Sequence, residues 1–212
     1  MKNYCIREDY KTNLDKEGWI SPYFDTDFNA DNFQVESYRY LANKVKTYNS
    51  NSLLDIGCGF ATKLVKFVYP HCRDITGIDT RGTIDVCNKR YNIGTWFADD
   101  IENPSLKLHR TYDVVSAIDV IEHLNDPDKL FDYIERFCHP NTWIIISTPD
   151  RDVIRSKSEL GPPENRSHIR EWNIYEFTMY VKGRFEIIEI VSTENSTLSK
   201  AKGNIIVTSK LI

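Results

Sequence analysis

The stretch LLDIGCGF, residues 53–60, limits what this chain can become more than any other. Leu53, Leu54 and Ile56 suit a buried strand, yet Asp55 interrupts them and two glycines separated by one residue follow. Glycine inside a strand weakens it, so the strand stops here. Gly57 and Gly59 remove two side chains and let a ligand lie against the backbone. Asp55 is placed to orient that loop and attract a cation.

A regular alternation surrounds this turn. Residues 52–56 read as a short buried strand, and 60–69 as a helix closed by Pro70. DITGID (74–79) is a strand, 81–91 a helix, TWFA (95–98) a strand and 112–119 a strand. A helix runs from about Pro127 to Cys138, and 142–148 is a strand. Strands separated by helices imply a parallel sheet covered on both faces. Upstream, Phe33, Val35, Tyr38, Leu41, Ala42 and Val45 suit an amphipathic helix over 31–48, with Asp31 as N-cap. Asn173 with Glu176 has the form of a capping box before a helix over 174–182. RFEIIEIVS and GNIIVTSKLI then follow as two strands with no helix between them, so they pair antiparallel. The expected architecture is α/β: seven strands, mostly parallel, with an antiparallel C-terminal strand at the edge and helices on both faces. It is read as a single domain over 1–212, with residues 1–48 as N-terminal lid and helix and 49–212 as the core.

Composition excludes several classes. The 212 residues carry a net charge of −4 and no long basic run, which speaks against a general affinity for nucleic acid. The start is charged without an apolar segment, and no apolar run approaches the ~20 residues of a membrane span. Five cysteines without a Cys-x-x-Cys pair suggest free thiols in a reducing compartment, and a cytoplasmic location is expected. His71, Cys72, Cys87 and His109 fit no zinc spacing, and no metal site is expected.

In open α/β sheets, ligands bind beyond the carboxyl ends of the strands. Asp79 ends the second strand about 24 residues after Asp55, an offset at which a carboxylate accepts bonds from a ribose diol. The third strand ends at ADDIE, where Asp100 or Asp99 would accept from an adenine amino group and Ile101 would pack on the ring. Two ligands compete for this site. A dinucleotide wants Gly-x-Gly-x-x-Gly, but position 62 is Thr62. Four carboxylates at the strand tips (Asp55, Asp79, Asp99, Asp100) favour a ligand with positive charge.

LLDIGCGF, GID, ADDIE and YDVVSAIDVIEHLNDP together resemble, in order, the motifs of class I S-adenosylmethionine-dependent methyltransferases. DVIEHLNDP is most similar to the branch of ubiquinone-biosynthesis O-methyltransferases and bacterial small-molecule or glycan methyltransferases. The resemblance spans about residues 35 to 191 and implies a Rossmann-like fold with S-adenosylmethionine as donor. It implies that Asp55, Gly57, Cys58 and Gly59 line the methionine part of the donor. Asp79 would bind the ribose, and Asp100 (or Asp99) with Ile101 the adenine. Ala117, Ile118 and Asp119 would contact the methionine amino group, and Arg39 would reach its carboxylate. The family often has glycine at position 61, where this chain has Ala61.

On the acceptor side, the resemblance draws attention to GPPENRSHIREWNIYEF (161–177). His168 is the candidate base or acceptor contact, with Arg170, Glu171 and Trp172 secondary. The plain alternative puts Trp172 in the core and Arg170 and Glu171 in an exposed pair. His123 is expected across the cleft and reads as structural, with catalysis as its alternative role. Glu122 and Asp119 read as loop-stabilising acids. Asp119 with Asp150 is an option for a divalent metal, against a solvated PDRD turn. Trp19, Tyr23 and Phe24 suit a lid over the donor, or packing on the sheet edge or in a homodimer.

The activity expected is methyl transfer to a hydroxyl of a small molecule or sugar by a monomer or homodimer. An in-line displacement from an activated donor needs alignment, exclusion of water and, for a hydroxyl, a base. The competing readings are an NAD-dependent oxidoreductase or epimerase and a non-catalytic adenosyl-binding module. The former lacks a Tyr-x-x-x-Lys pair, since Tyr91, Tyr133 and Tyr180 precede Thr95, Phe137 and Arg184 at that spacing.

Overall fold

A computed structural model describes residues 27–165, 167–194 and 196–212. The aromatic lid assigned to Trp19, Tyr23 and Phe24 lies outside the described residues. One sheet of seven strands organises the rest: β1 (Ser52–Ile56), β2 (Asp74–Asp79), β3 (Thr95–Ala98), β4 (Tyr112–Ile118), β5 (Cys138–Pro149), β6 (Phe185–Thr193) and β7 (Asn204–Leu211). Their order is β3-β2-β1-β4-β5-β7-β6. The first five pair in parallel, and β7 runs antiparallel to both β5 and β6. The reversed strand is therefore not the outermost: β7 lies inside and β6 forms the edge. The direction of winding changes at β1 and β4, whose carboxyl ends flank the crevice expected in such sheets.

Alternation along the strands divides the core in two. Leu54, Ile56, Val115, Ala117, Ile144 and Ile146 face α4 (Asp128–Glu135) and α6 (Ile174–Lys182), which contribute Leu130, Phe131, Ile134, Phe177 and Val181. Leu53, Val114 and Ile145 point the other way. There they meet Tyr38, Leu41 and Val45 of α2 (Val35–Thr47), Leu64 and Val68, and Ile84 of α3 (Arg81–Arg90). The period of two in each strand sends neighbouring side chains to opposite faces, so both faces require helices.

Three local expectations are corrected. The single helix over 31–48 is two pieces, α1 (Asp27–Asn32) and α2, because Gln34 takes a left-handed backbone at φ 59°. Asp31 sits inside α1 and pairs with Lys66 at 2.6 Å rather than capping. The helix over 60–69 begins only after Ala61, which is left-handed at φ 59°. It widens to π-type turns over Leu64–Val68, where the Tyr69 N–H reaches the Leu64 carbonyl at 3.0 Å. The helix expected to reach Cys138 ends at Glu135, and Cys138 opens β5 opposite Tyr112.

The capping box is present: the Glu176 N–H donates to Asn173 Oδ1 at 2.9 Å, and the Asn173 N–H to Glu176 Oε2 at 3.0 Å. The same carboxylate receives both terminal nitrogens of Arg151 at 2.7 Å each. Arg151 lies in α5 (Arg151–Ile154), directly after β5, and both side chains are 2% exposed. This pair fastens the loop after β5 to α6. Among the described residues, no helix is long and apolar enough to cross a membrane.

Removing one partner of a buried pair leaves an uncompensated charge. Glu176→Ala is expected to lower unfolding stability by about 3–5 kcal/mol, read as a reduced urea midpoint with an unchanged slope.

Candidate active site

Asp55 is fully buried at the end of β1. Its Oδ2 accepts from the Tyr38 hydroxyl at 2.9 Å and its Oδ1 from the Ser116 hydroxyl at 2.7 Å. Burial pushes its carboxyl up to about 6, against the pull of those two donors. This carboxylate therefore sits beneath the loop, with each oxygen engaged by a protein hydroxyl. It joins α2, β1 and β4 at the point where the loop leaves the sheet.

Gly57 and Gly59 are both left-handed, at φ 74° and 56°. They differ in what surrounds them. A β-carbon on Gly57 would stand 2.4 Å from Cγ2 of Val120, whereas one on Gly59 would meet nothing within 4 Å. Gly57 is thus required by packing, and Gly59 leaves an open cradle. Cys58, between them, turns its side chain inward and is buried. Its thiol and that of Cys87 both approach the Gly59 carbonyl at 3.4 Å. The Cys87 contact and burial raise the Cys58 thiol well above its ordinary range, so Cys58 can offer a ligand only its backbone. Ala61 keeps the left-handed backbone for which the family uses glycine, with its methyl buried.

Asp79, at the tip of β2, holds the same loop. Its Oδ2 accepts from the Gly59 N–H at 2.9 Å and its Oδ1 from the Thr80 N–H at 2.7 Å. Burial raises this carboxyl despite the two N–H donors and the hydroxyls of Thr80 and Thr83.

The pair after β3 separates clearly. Asp99 is engaged by the Ser105 N–H and hydroxyl, the Leu106 N–H and the Tyr133 hydroxyl at 2.7–3.2 Å. Burial works against it, but these donors prevail and lower its carboxyl. Asp99 thereby fastens its loop to α4, which leaves Asp100 as the more open of the two expected adenine acceptors. Asp100 is exposed and accepts from the Glu102 N–H at 2.9 Å, with half-buried Ile101 packed beside the core. The side chains of Ala117 and Ile118 are buried, so contact there is limited to backbone. Asp119 (φ 55°) accepts from Ser147 and from Asn204 Nδ2 at 3.0 Å. Arg39 stands on the outer face of α2, paired with Glu36 at 2.7 Å and lying over Phe67, because the preceding residue, Tyr38, takes the inward position.

The residues expected on the acceptor side show the largest departure. His123 does not lie across the cleft from His168: their rings are 4.9 Å apart, edge to face. The Ile169 N–H donates to the Glu122 carbonyl at 2.7 Å, and this joins the turn Ile121–His123 to the loop before α6. His168 Nδ1 meets Glu171 Oε1 at 2.6 Å, and the other oxygen of Glu171 pairs with Arg155 at 2.9 Å. Arg170 and Glu171 are buried, not an exposed pair, and the Arg170 guanidinium donates to the Asn125 carbonyl at 3.0 Å. Trp172 is core, stacked on Tyr180 at 5.7 Å. The PDRD turn is not solvated either, since Asp150 caps α5 through the Asp152 N–H and is buried. Asp150 and Asp119 are each committed to protein partners, which removes them as a metal pair. The residues that do converge, with ligating atoms within 4.8 Å, are Glu122, His123 and His168. Glu122 is fully buried, and burial next to the Asp119 charge holds its carboxyl well above the usual range.

Sequence reasoning missed Tyr38 and Ser116 as the partners of Asp55, and Glu122 as part of a cluster. The helical period places Tyr38 on the buried face. No local signal brings residue 122 to residue 168.

Two outcomes follow from this geometry. Asp55 binds its proton more tightly folded than unfolded, so its contribution to stability is present below about pH 4 and is lost as pH rises through about 6. Wild type should therefore lose about 2 kcal/mol relative to Asp55→Asn between pH 4.5 and 7, measured by urea unfolding at each pH. Gly57→Ala should destabilise by about 1–3 kcal/mol from overpacking, beyond the backbone strain of about 1–2 kcal/mol that Gly59→Ala shares, as read by thermal unfolding.

A protein-family model described as a methyltransferase domain matches residues 29–185. The ubiquinone biosynthesis O-methyltransferase of Dictyostelium discoideum is 21% identical over 78% of this chain, which spans about 60% of the length of that relative. Among solved structures, the methyltransferase domain of bacterial CtHen1 superposes with a TM-score of 0.64 at 19% identity, over 84% of this chain and 98% of that one. The N-methyltransferase NodS of Bradyrhizobium japonicum, in complex with S-adenosylhomocysteine, superposes at 0.63 with 15% identity over 94% of each chain. The glycopeptide N-methyltransferase MtfA with sinefungin gives 0.67 at 11% identity, over 85% of this chain and 94% of that one. With the family match across most of the chain and the strand-tip loop in place, the dinucleotide reading gives way: the chain belongs to the methyltransferase-domain family, of the class I S-adenosylmethionine-dependent kind.

Proposed function

We propose that the chain transfers the methyl group of S-adenosylmethionine to a hydroxyl of a small molecule or sugar. The observation that carries the donor half is the loop from Gly57 to Ala61, held by Asp79 through the Gly59 N–H at 2.9 Å. The missing side chain of Gly59 leaves nothing within 4 Å, so a ligand can approach the backbone there. Asp79 at the tip of β2 would accept from ribose hydroxyls, in exchange for the Thr80 and Thr83 hydroxyls that it now holds. Asp100 and Ile101, at the tip of β3, would border the adenine, and the backbone from Ala117 to Asp119 the methionine amino group.

The acceptor half rests on the imidazole cluster. When bound, the donor supplies an activated methyl group, so the protein's remaining tasks are to orient the acceptor oxygen and to assist the loss of its proton. His123 follows β4 closely, His168 meets it from the loop before α6, and Val120, which precedes the His123 turn, packs against Gly57. Titratable groups next to the donor loop favour a hydroxyl, which must lose its proton, over an already nucleophilic neutral amine. The ubiquinone relative is named for O-methyl transfer, whereas NodS and MtfA are named for N-methyl transfer.

Calorimetry should show S-adenosylhomocysteine binding, weakened by more than about 1 kcal/mol in Asp79→Ala, which removes a charged acceptor. Gly59→Ala should weaken it likewise, while Glu36→Ala on the outer face should not. Incubation with labelled donor should methylate members of a panel of phenols, catechols and saccharides. Transfer to matched amines alone would overturn the hydroxyl reading, and donor binding without transfer to any acceptor would favour a non-catalytic binding module.

A further inference from the structure

Glu122, His123 and His168 offer one carboxylate oxygen and two ring nitrogens within 4.8 Å of one another. We propose that these three side chains bind one divalent cation of the first transition row, through Glu122 Oε1 and the Nε2 atoms of both histidines. The cation's open positions take the acceptor's hydroxyl oxygen. This last clause rests on the hydroxyl-transfer reading above; the site itself does not.

Hydrogen bonding prepares both rings as ligands. The Ser167 carbonyl, 2.9 Å from His123 Nδ1, only accepts, so Nδ1 carries the proton and Nε2 the lone pair. Glu171 imposes the same tautomer on His168 through Nδ1 at 2.6 Å. Asn165 Nδ2, which only donates, lies 3.0 Å from His168 Nε2 and agrees with it. A metal-binding histidine characteristically gives its other N–H to a carboxylate or backbone carbonyl, and both forms occur here. Behind His168, Arg155 holds Glu171 at 2.9 Å.

Glu122 supplies the independent observation. Its side chain is fully buried, and Oε2 accepts from the Thr148 hydroxyl at 3.2 Å. Oε1 has no hydrogen-bond partner among the described residues and lies 3.9 Å from His123 Nε2. A buried carboxylate oxygen without a donor is costly, and a cation at the cluster would satisfy it. Two imidazoles with one carboxylate suit manganese, cobalt, iron or zinc better than calcium or magnesium, which prefer all-oxygen sites. Three protein ligands leave coordination positions open, and the half-exposed edge of His123 gives access to them. A hydroxyl bound there loses its proton to solvent water more readily, because the cation stabilises the oxyanion.

The test is calorimetric titration of the chelator-stripped full chain with Mn2+, Co2+ and Zn2+ separately, with the visible absorption of the Co2+ form as a second readout. One ion per chain is expected. His123→Gln and His168→Ala should each weaken it at least ~10-fold, and Glu171→Gln by about 10–100-fold. Asn165→Ala should tighten it, since the amide competes for the His168 lone pair. Retained S-adenosylhomocysteine binding verifies that each variant is folded. Absence of binding, or equal binding by wild type and both histidine variants, overturns the site. Ion binding with this pattern but no methylation of hydroxyls leaves the site standing and removes the acceptor reading. Hydroxyl methylation that persists in chelator, with no ion bound, does the reverse.

Discussion

The buried carboxylate of Asp55 is the constraint on which the rest of the site depends. It accepts from Tyr38 of α2 and Ser116 of β4, so one side chain ties a helix and two central strands together where the loop begins. The Gly57 and Cys58 N–H groups continue the tie, both reaching the Ile78 carbonyl of β2 at 2.7 and 3.2 Å. The loop's left-handed residues are then held from two sides, by Asp55 below and Asp79 beside. Strained backbone persists only where its surroundings over-determine it, and here they do.

Four carboxylates at the strand tips looked alike in the sequence and are not alike in the fold. Asp55 is covered, Asp79 cradles backbone N–H groups, Asp99 is saturated by four donors and Asp100 faces solvent. Environment sets the direction in which each titrates: burial raises Asp55 and Asp79, whereas clustered donors lower Asp99. An attractive field for a cationic ligand thus comes mainly from the outer acids, while the buried one serves the scaffold.

How much was legible in the sequence follows from the range of each interaction. Strand positions, the reversed C-terminal pair and the Asn173–Glu176 capping box depend on neighbours within a few residues, and they were readable. The break at Gln34 was not, because a left-handed backbone at a non-glycine residue leaves no local trace. Asp99 could not be separated from Asp100 without knowing that Tyr133 and Ser105 converge on it. One helical position separates two environments: 100° apart around α2, Tyr38 points to the sheet and Arg39 to solvent.

The grouping of Glu122, His123 and His168 shows why such a cluster escapes a linear reading. Three separate ties bring residues 121–125 and residues 167–171 together: the Ile169 N–H to the Glu122 carbonyl, the His123 ring to the Ser167 carbonyl, and Arg170 to the Asn125 carbonyl. Each uses a backbone carbonyl, which carries no sequence signature. The side chains that give the cluster its chemistry are then left to face one another, with Arg155 and Glu171 supporting one ring and a peptide group supporting the other. Val120 precedes the Ile121–His123 turn, and its methyl groups press on the glycine loop. A change in the packing of that turn is therefore felt by the glycine loop and by the imidazole cluster at once.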